Sequence, residues 1–222
     1  MPRMKERFAR LALVIGFGMS AVSAGAQDYS SLLQEATVTE GRLFQVSPDA
    51  QASWGVPVTV RVPVFGDNTP PPRFGVLLDD APPDGGALTV TFQTPDGALI
   101  EAVNLSSATI PTDLPAERRV EVFAVLLQQR VLPKIVAALP GATSDGLRPT
   151  EVAGFDGVEM LGRAIHPDHG PIRWRLVGIP HPERAESVYA FVQVATDRLP
   201  LPEANDFARS LTGRLLTSLQ FQ

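Results

Sequence analysis

The segment Val188 to Ala195 is apolar at every position except Gln193. Strand side chains alternate between two faces, so a strand that is apolar on both must be covered on both. It belongs at the centre of a sheet with another layer on each side, and a sheet open to water is excluded. Two further strands precede it. In Val158 to Ile165, residues Val158, Met160, Gly162 and Ala164 alternate with Glu159, Leu161, Arg163 and Ile165. Ile172, Trp174, Leu176 and Gly178 alternate in the same way with Arg173, Arg175, Val177 and Ile179. The connectors are short and carry Pro167, Asp168 and Gly170 in one case and Pro180 and Pro182 in the other, which predicts hairpin turns and an antiparallel meander.

Covers for this sheet are legible as amphipathic segments. A helix is predicted from near Thr112 or Asp113, with Pro115 in its first turn and Phe123, Leu126, Leu127, Val131 and Ile135 on its buried face. Pro133 disfavours helical geometry at Leu132, which predicts a kink or break there, and Pro140-Gly141 ends the segment. Residues 141–154 read as loop. The last helix is predicted over Glu203 to Leu219, with Ala204, Phe207, Ala208, Leu211, Leu215 and Leu219 in one stripe.

The N-terminal half reads as further strands. Gly41 to Val46 is one; Val56, Val58, Val60, Val62 and Val64 mark another, with Pro57 and Pro63 on its opposite face predicting a sheet edge. Phe74 to Leu78, Leu88 to Phe92 and Leu99 to Leu105 continue the series, the last two joined by the tight-turn signature Thr94-Pro95-Asp96-Gly97. The predicted fold class is α/β (α+β): an antiparallel sheet with helices on both faces, an α/β/α sandwich.

Residues 1–26 read as a signal peptide. Arg3, Lys5, Arg7 and Arg10 form a basic leader, Leu11 to Val22 an apolar run, and Ala24-Gly25-Ala26 a small-residue cleavage site. The apolar run is shorter than the roughly 20 residues of a spanning helix, so no membrane span is expected once the leader is removed. The expected product, residues 27–222, is one exported α/β sandwich domain, periplasmic or secreted. Removing the leader's four basic residues and one acidic residue leaves 15 basic against 23 acidic, a net charge of −8. That balance disfavours nucleic acid and anionic membrane surfaces as partners. The chain has no cysteine, hence no disulfide framework and no thiolate site.

The early strands, the helix ending in Leu139-Pro140-Gly141, the Phe155-Asp156-Gly157 turn into a three-strand meander and the terminal Ser218-Leu219-Gln220-Phe221 together give a resemblance. From about residue 40 to residue 222 the chain resembles the PsbP-like sandwich superfamily. That group includes a photosystem lumenal subunit, a nuclear Ran-binding protein and bacterial envelope proteins. The resemblance implies an α/β/α sandwich that works by binding other macromolecules, with no shared catalytic residues.

Three groups of residues are candidates for function. Arg163, Arg173 and Arg175 share one face near Glu159 if the first hairpin pairs Arg163 with Arg173, and could then receive a carboxylate or phosphate. A shift of one residue separates them. His166, Asp168 and His169 lie in one turn and could hold a metal weakly; His181, one strand of about eight residues away, falls roughly 27 Å from them at the other end of the sheet. Trp54, Phe65, Pro70, Pro71 and Pro72 could form an apolar patch for a partner. No Gly-x-Ser-x-Gly elbow and no phosphate-cradling glycine loop occurs. The sequence therefore predicts a binding or assembly protein without cofactor, acting on an envelope protein partner through a surface. A binder of small anions or metal is the alternative, and a hydrolase built from scattered residues ranks third.

Overall fold

The structure is a computed structural model, and it describes residues 42–45, 58–62, 75–79, 86–94, 96–199, 201 and 204–221. Ten strands are described: β1 (Arg42–Gln45), β2 (Val58–Val62), β3 (Gly75–Asp79), β4 (Gly86–Gln93), β5 (Leu99–Thr109), β6 (Thr143–Val152), β7 (Phe155–His166), β8 (Gly170–Ile179), β9 (Glu186–Ala195) and β10 (Gln220–Phe221). Between β5 and β6 run α1 (Ala116–Leu126), a π-helical turn (Leu127–Val131) and α2 (Leu132–Ala138). A 3-10 turn (Ala204–Arg209) and α3 (Leu211–Thr217) precede β10.

Seven strands form one antiparallel sheet in the order β3-β4-β5-β9-β8-β7-β6. The doubly apolar β9 is its middle strand, as its two-sided pattern requires. On one face, Phe123, Leu127, Val131 and Ile135 of the long helical segment pack on Met160, Ile172, Trp174 and Leu176. On the other, Val58 and Val60 of β2 and Leu211 and Leu215 of α3 pack on Leu105, Val177, Val188 and Val192. Both faces are therefore covered, and the molecule is a mixed α/β sandwich.

The long helix starts at Ala116, directly after Pro115, rather than at Thr112 or Asp113. Its expected break takes the form of the π turn just ahead of Pro133. A proline here would leave the carbonyl four residues back without its donor and press on it, and the wider turn relieves both demands. Phe123, Leu127, Val131 and Ile135 recur every fourth residue, a spacing that drifts by roughly 40° per step in an α-helix. The π turn absorbs part of that drift and keeps all four buried.

Four expectations need correction. Residues 141–154 are mostly strand: β6 pairs with β7 along the sheet edge, with a bulge between Ser144 and Leu147. Its side chains up to Pro149 are exposed except for half-buried Leu147, so no apolar alternation marks it. The turn into β7 is Ala153-Gly154, one step ahead of Phe155-Asp156-Gly157. Both residues have positive φ, 55° and 82°, the geometry of a two-residue hairpin turn. The strand at Val58–Val62 is the centre of a three-stranded sheet, order β1-β2-β10, and not an edge. The described span Val58–Val62 contains no proline, so none of those residues lacks a ladder N–H. The final helix is broken at Ser210, whose extended backbone and side-chain oxygen, accepting from Gly213 N at 3.0 Å, start α3 afresh.

Candidate functional site

β7 and β8 pair Arg163 with Arg173 and Leu161 with Arg175. This is the register that gathers the three arginines onto one face, the side that also carries β2 and α3. Beside them β6 sets Arg148 opposite Glu159. Glu159 is 5% exposed and serves two cations. Arg148 donates Nε to its Oε1 at 2.6 Å, with Nη2 at 2.5 Å, and Arg175 donates Nε to its Oε2 at 2.6 Å. Arg175 also reaches Thr150 Oγ1 at 3.5 Å. One carboxylate thus holds two guanidiniums in fixed orientation. Arg173 donates Nη1 to the Leu201 carbonyl, and Arg163 is exposed. The paired positions of Arg163 and Arg173 do not force their charges together, because Arg173 turns toward the segment after β9.

A cleft of about 150 Å³ opens in this face where the β6 bulge approaches the 3-10 turn. Arg148, Arg173 and Asp145 line it together with apolar Leu147, Leu161 and Phe207. The cleft was not legible in the sequence, because it depends on β6, an element that polar residues conceal.

The turn after β7 brings two histidines together. The His166 and His169 rings stack with centroids 4.4 Å apart, and Asp168 is exposed beside them. His166 Nδ1 accepts the backbone N–H of Asp168 at 3.1 Å, so in the neutral ring Nε2 carries the proton and is a donor. Burial lowers the His166 pKa below the ordinary imidazole value; His169 lowers it further and Asp168 opposes both. Among the described residues, no three or more His, Cys, Asp or Glu side chains converge as a metal-ligating set.

His181 lies at the other end of the sheet, where its ring meets Phe221 of β10 at 4.6 Å. Phe155 meets the same Phe221 ring edge-on at 5.1 Å. His181 Nδ1 accepts the N–H groups of Glu183 and Arg184, both at 3.0 Å, so the imidazole organises its own loop. Arg119, buried in the first turn of α1, donates to the Pro182 and Arg184 carbonyls of that loop. Burial lowers the His181 pKa most, the Arg184 and Arg119 charges add to the effect, and Glu183 and Glu186 oppose it. Trp54, Phe65, Pro70, Pro71 and Pro72 lie outside the described residues.

The sequence reading also missed Glu101. Its carboxylate is fully buried and accepts Leu211 N at 3.1 Å, Thr212 N at 2.9 Å and Thr212 Oγ1 at 2.6 Å. It docks the start of α3 onto β5. A polar residue within an apolar strand pattern was the available signal.

No protein-family model and no curated protein sequence matches the chain. Among solved structures it is similar to one from Bacteroides thetaiotaomicron, with a TM-score of 0.45 and 11% identity, covering 82% of this chain and 49% of that one. The chain spans about half the length of that protein. It is similar to cyanobacterial PsbP (CyanoP) from Synechocystis sp. PCC 6803, with a TM-score of 0.45 and 11% identity, over 92% of this chain and 98% of that one. LpqN, involved in cell envelope biogenesis of Mycobacterium tuberculosis, matches with a TM-score of 0.45 and 10% identity, over 88% of this chain and 98% of that one. The likeness to PsbP-like proteins is one of fold. Among the described residues no helix is long and apolar enough to cross a membrane.

Proposed function

We propose that the chain is an exported, non-catalytic binding or assembly protein that engages an acidic envelope partner through the arginine-lined face of its large sheet. The observation that carries this reading is the pairing of Arg163 with Arg173 beside Arg148 and Arg175, which share one Glu159 carboxylate. Four cations and a single buried anion stand together on a chain whose mature part carries a net −8. Such a local reversal of sign favours an oppositely charged partner and suppresses others. Arginine suits this work because its planar fork takes a carboxylate in two parallel bonds. The basic and apolar leader supports export.

The test is crosslinking of the tagged chain, expressed with its leader in its native envelope, followed by affinity capture and mass spectrometry. One dominant protein is expected with the native chain and is expected to be lost with Arg163→Glu, a change at an exposed position that leaves the Glu159 pairs intact. Retention of that protein by Arg163→Glu and its loss on Trp54→Ala with Phe65→Ala would overturn the arginine face in favour of the apolar patch.

A further inference from the structure

We infer that the cleft between the β6 bulge and the 3-10 turn is a binding site for a single carboxylate carried on a short apolar stem. The inference rests on the arginine-face reading and names the group that face receives. Three features of the cleft select this chemistry.

The first is charge. Arg148 and Arg173 line the cleft against the one carboxylate of Asp145, so the lining is positive by one unit. The planar forks of the two guanidiniums match the two oxygens of a carboxylate. Arg148 is already anchored through Nε and Nη2 on Glu159, and Arg173 through Nη1 on Leu201, so both guanidiniums are oriented before any ligand arrives. Each of the five N–H groups of a guanidinium is a donor, and these anchors use only some of them. The second feature is size. A cleft of about 150 Å³ has room for a carboxylate and a few carbons. The third is the wall. Leu161 and Phe207 offer apolar surface beside the charged groups, which suits the methylene stem of an acidic side chain or a short fatty acid.

The bulge gives the site its opening. Gly146 adopts a φ of 93°, open to glycine at no steric cost, and donates its N–H to Ser144 Oγ at 3.2 Å. The ladder between β6 and β7 is interrupted from Ser144 to Leu147, where the edge strand bends around the cleft.

The experiment uses the purified, isotopically labelled chain and reads the backbone amide resonances of Gly146 and Gly162, both in the cleft lining. Four probes are titrated: butyrate, inorganic phosphate, a blocked peptide with a single Glu, and the same peptide with Gln. Saturable shifts are expected with butyrate or the Glu peptide, and none with the Gln peptide. Arg173→Gln is expected to weaken carboxylate binding by about tenfold or more, as loss of a charged hydrogen-bonding partner does. Asp145→Asn, at an exposed position that threatens no fold, is expected to tighten it several-fold. Tighter binding of the Glu peptide than of butyrate identifies the source as a protein partner, and saturation by butyrate alone identifies a free small acid; either result supports the carboxylate site. Absence of saturable shifts with both carboxylates overturns it, as does phosphate binding as tightly as a carboxylate or an unchanged affinity in Asp145→Asn. Failure here, with partner capture still lost in Arg163→Glu, removes the cleft and leaves the binding face. Carboxylate binding that persists while capture ignores Arg163→Glu removes the partner reading and leaves the cleft.

Discussion

Glu159 shows how one residue can set the character of a whole face. Its side chain is 7% exposed, and that of Arg175 is 11% exposed, so their pair is held largely away from water; Arg148, at 45%, is the exposed member. Removing the carboxylate leaves Arg175 buried beside Arg148 with no anion between them. Glu159→Gln is therefore expected to destabilise the protein by about 2–3 kcal/mol, as breaking a buried ion pair from one side does. The denaturation midpoint checks this, and an unchanged midpoint would show that the arginines do not depend on Glu159 for their placement.

His181 contributes to the pH dependence. Its folded-state pKa lies below the unfolded value near 6.5, so the unfolded chain binds more protons between the two values and stability rises with pH across that window. The stabilisation is complete above about pH 6.5 and is lost as pH falls toward the lowered folded value. Protonation would also remove the Nδ1 acceptor that Glu183 and Arg184 share, and would add a third cation beside Arg119 and Arg184. His181→Asn keeps a side-chain oxygen that can accept the same loop amides but does not titrate. Its loss of stability between neutral and mildly acidic pH is expected to be shallower than that of the native chain, the remainder coming in part from His166, whose pKa is also lowered. Equal slopes in urea denaturation at the two pH values would remove His181 from the account.

At the scale of elements, the C-terminal helix depends on a residue more than a hundred positions away. α3 is seven residues long, too short to be stable alone, and Glu101 takes two of its first N–H groups while Ser210 takes a third. Glu101→Ala is expected to cost about 2–4 kcal/mol and to speed hydrogen exchange at Leu211 to Leu216 more than in β7 to β9. Uniform acceleration across the sheet would contradict a local docking role.

The elements that apolar alternation marks were legible: β7, β8 and β9 stand where the pattern Val158 to Ala195 places them, and β9 is central because both its faces are apolar. β6 was not legible, since Thr143 to Thr150 are polar or exposed apart from Leu147 and an edge strand needs no apolar face. The stripe from Ala204 to Leu219 looks like one helix because the 3-10 turn and α3 bury the same side; the break becomes visible only through the contacts of Ser210 and Glu101. The arginine face was legible as one of two registers, and the cleft, which needs both β6 and the 3-10 turn, was not.

For the molecule as a whole, the two covered faces of the large sheet leave function to its margins. The His181 end is closed by Phe221, Phe155 and the Arg119 clamp, an arrangement of packing and satisfied amides. The opposite region, where β6 to β8 run beneath the 3-10 turn, keeps an open cleft and an exposed arginine. The central claim is that this positive face receives an acidic partner. Titration calorimetry of the captured partner against the native chain and Arg163→Glu, at low salt and at about 0.15 M ionic strength, tests it most directly. The account predicts native affinity that falls as salt rises, and binding to Arg163→Glu weaker by about tenfold with a flatter salt dependence. Equal affinities for the two chains at both salt concentrations would contradict it.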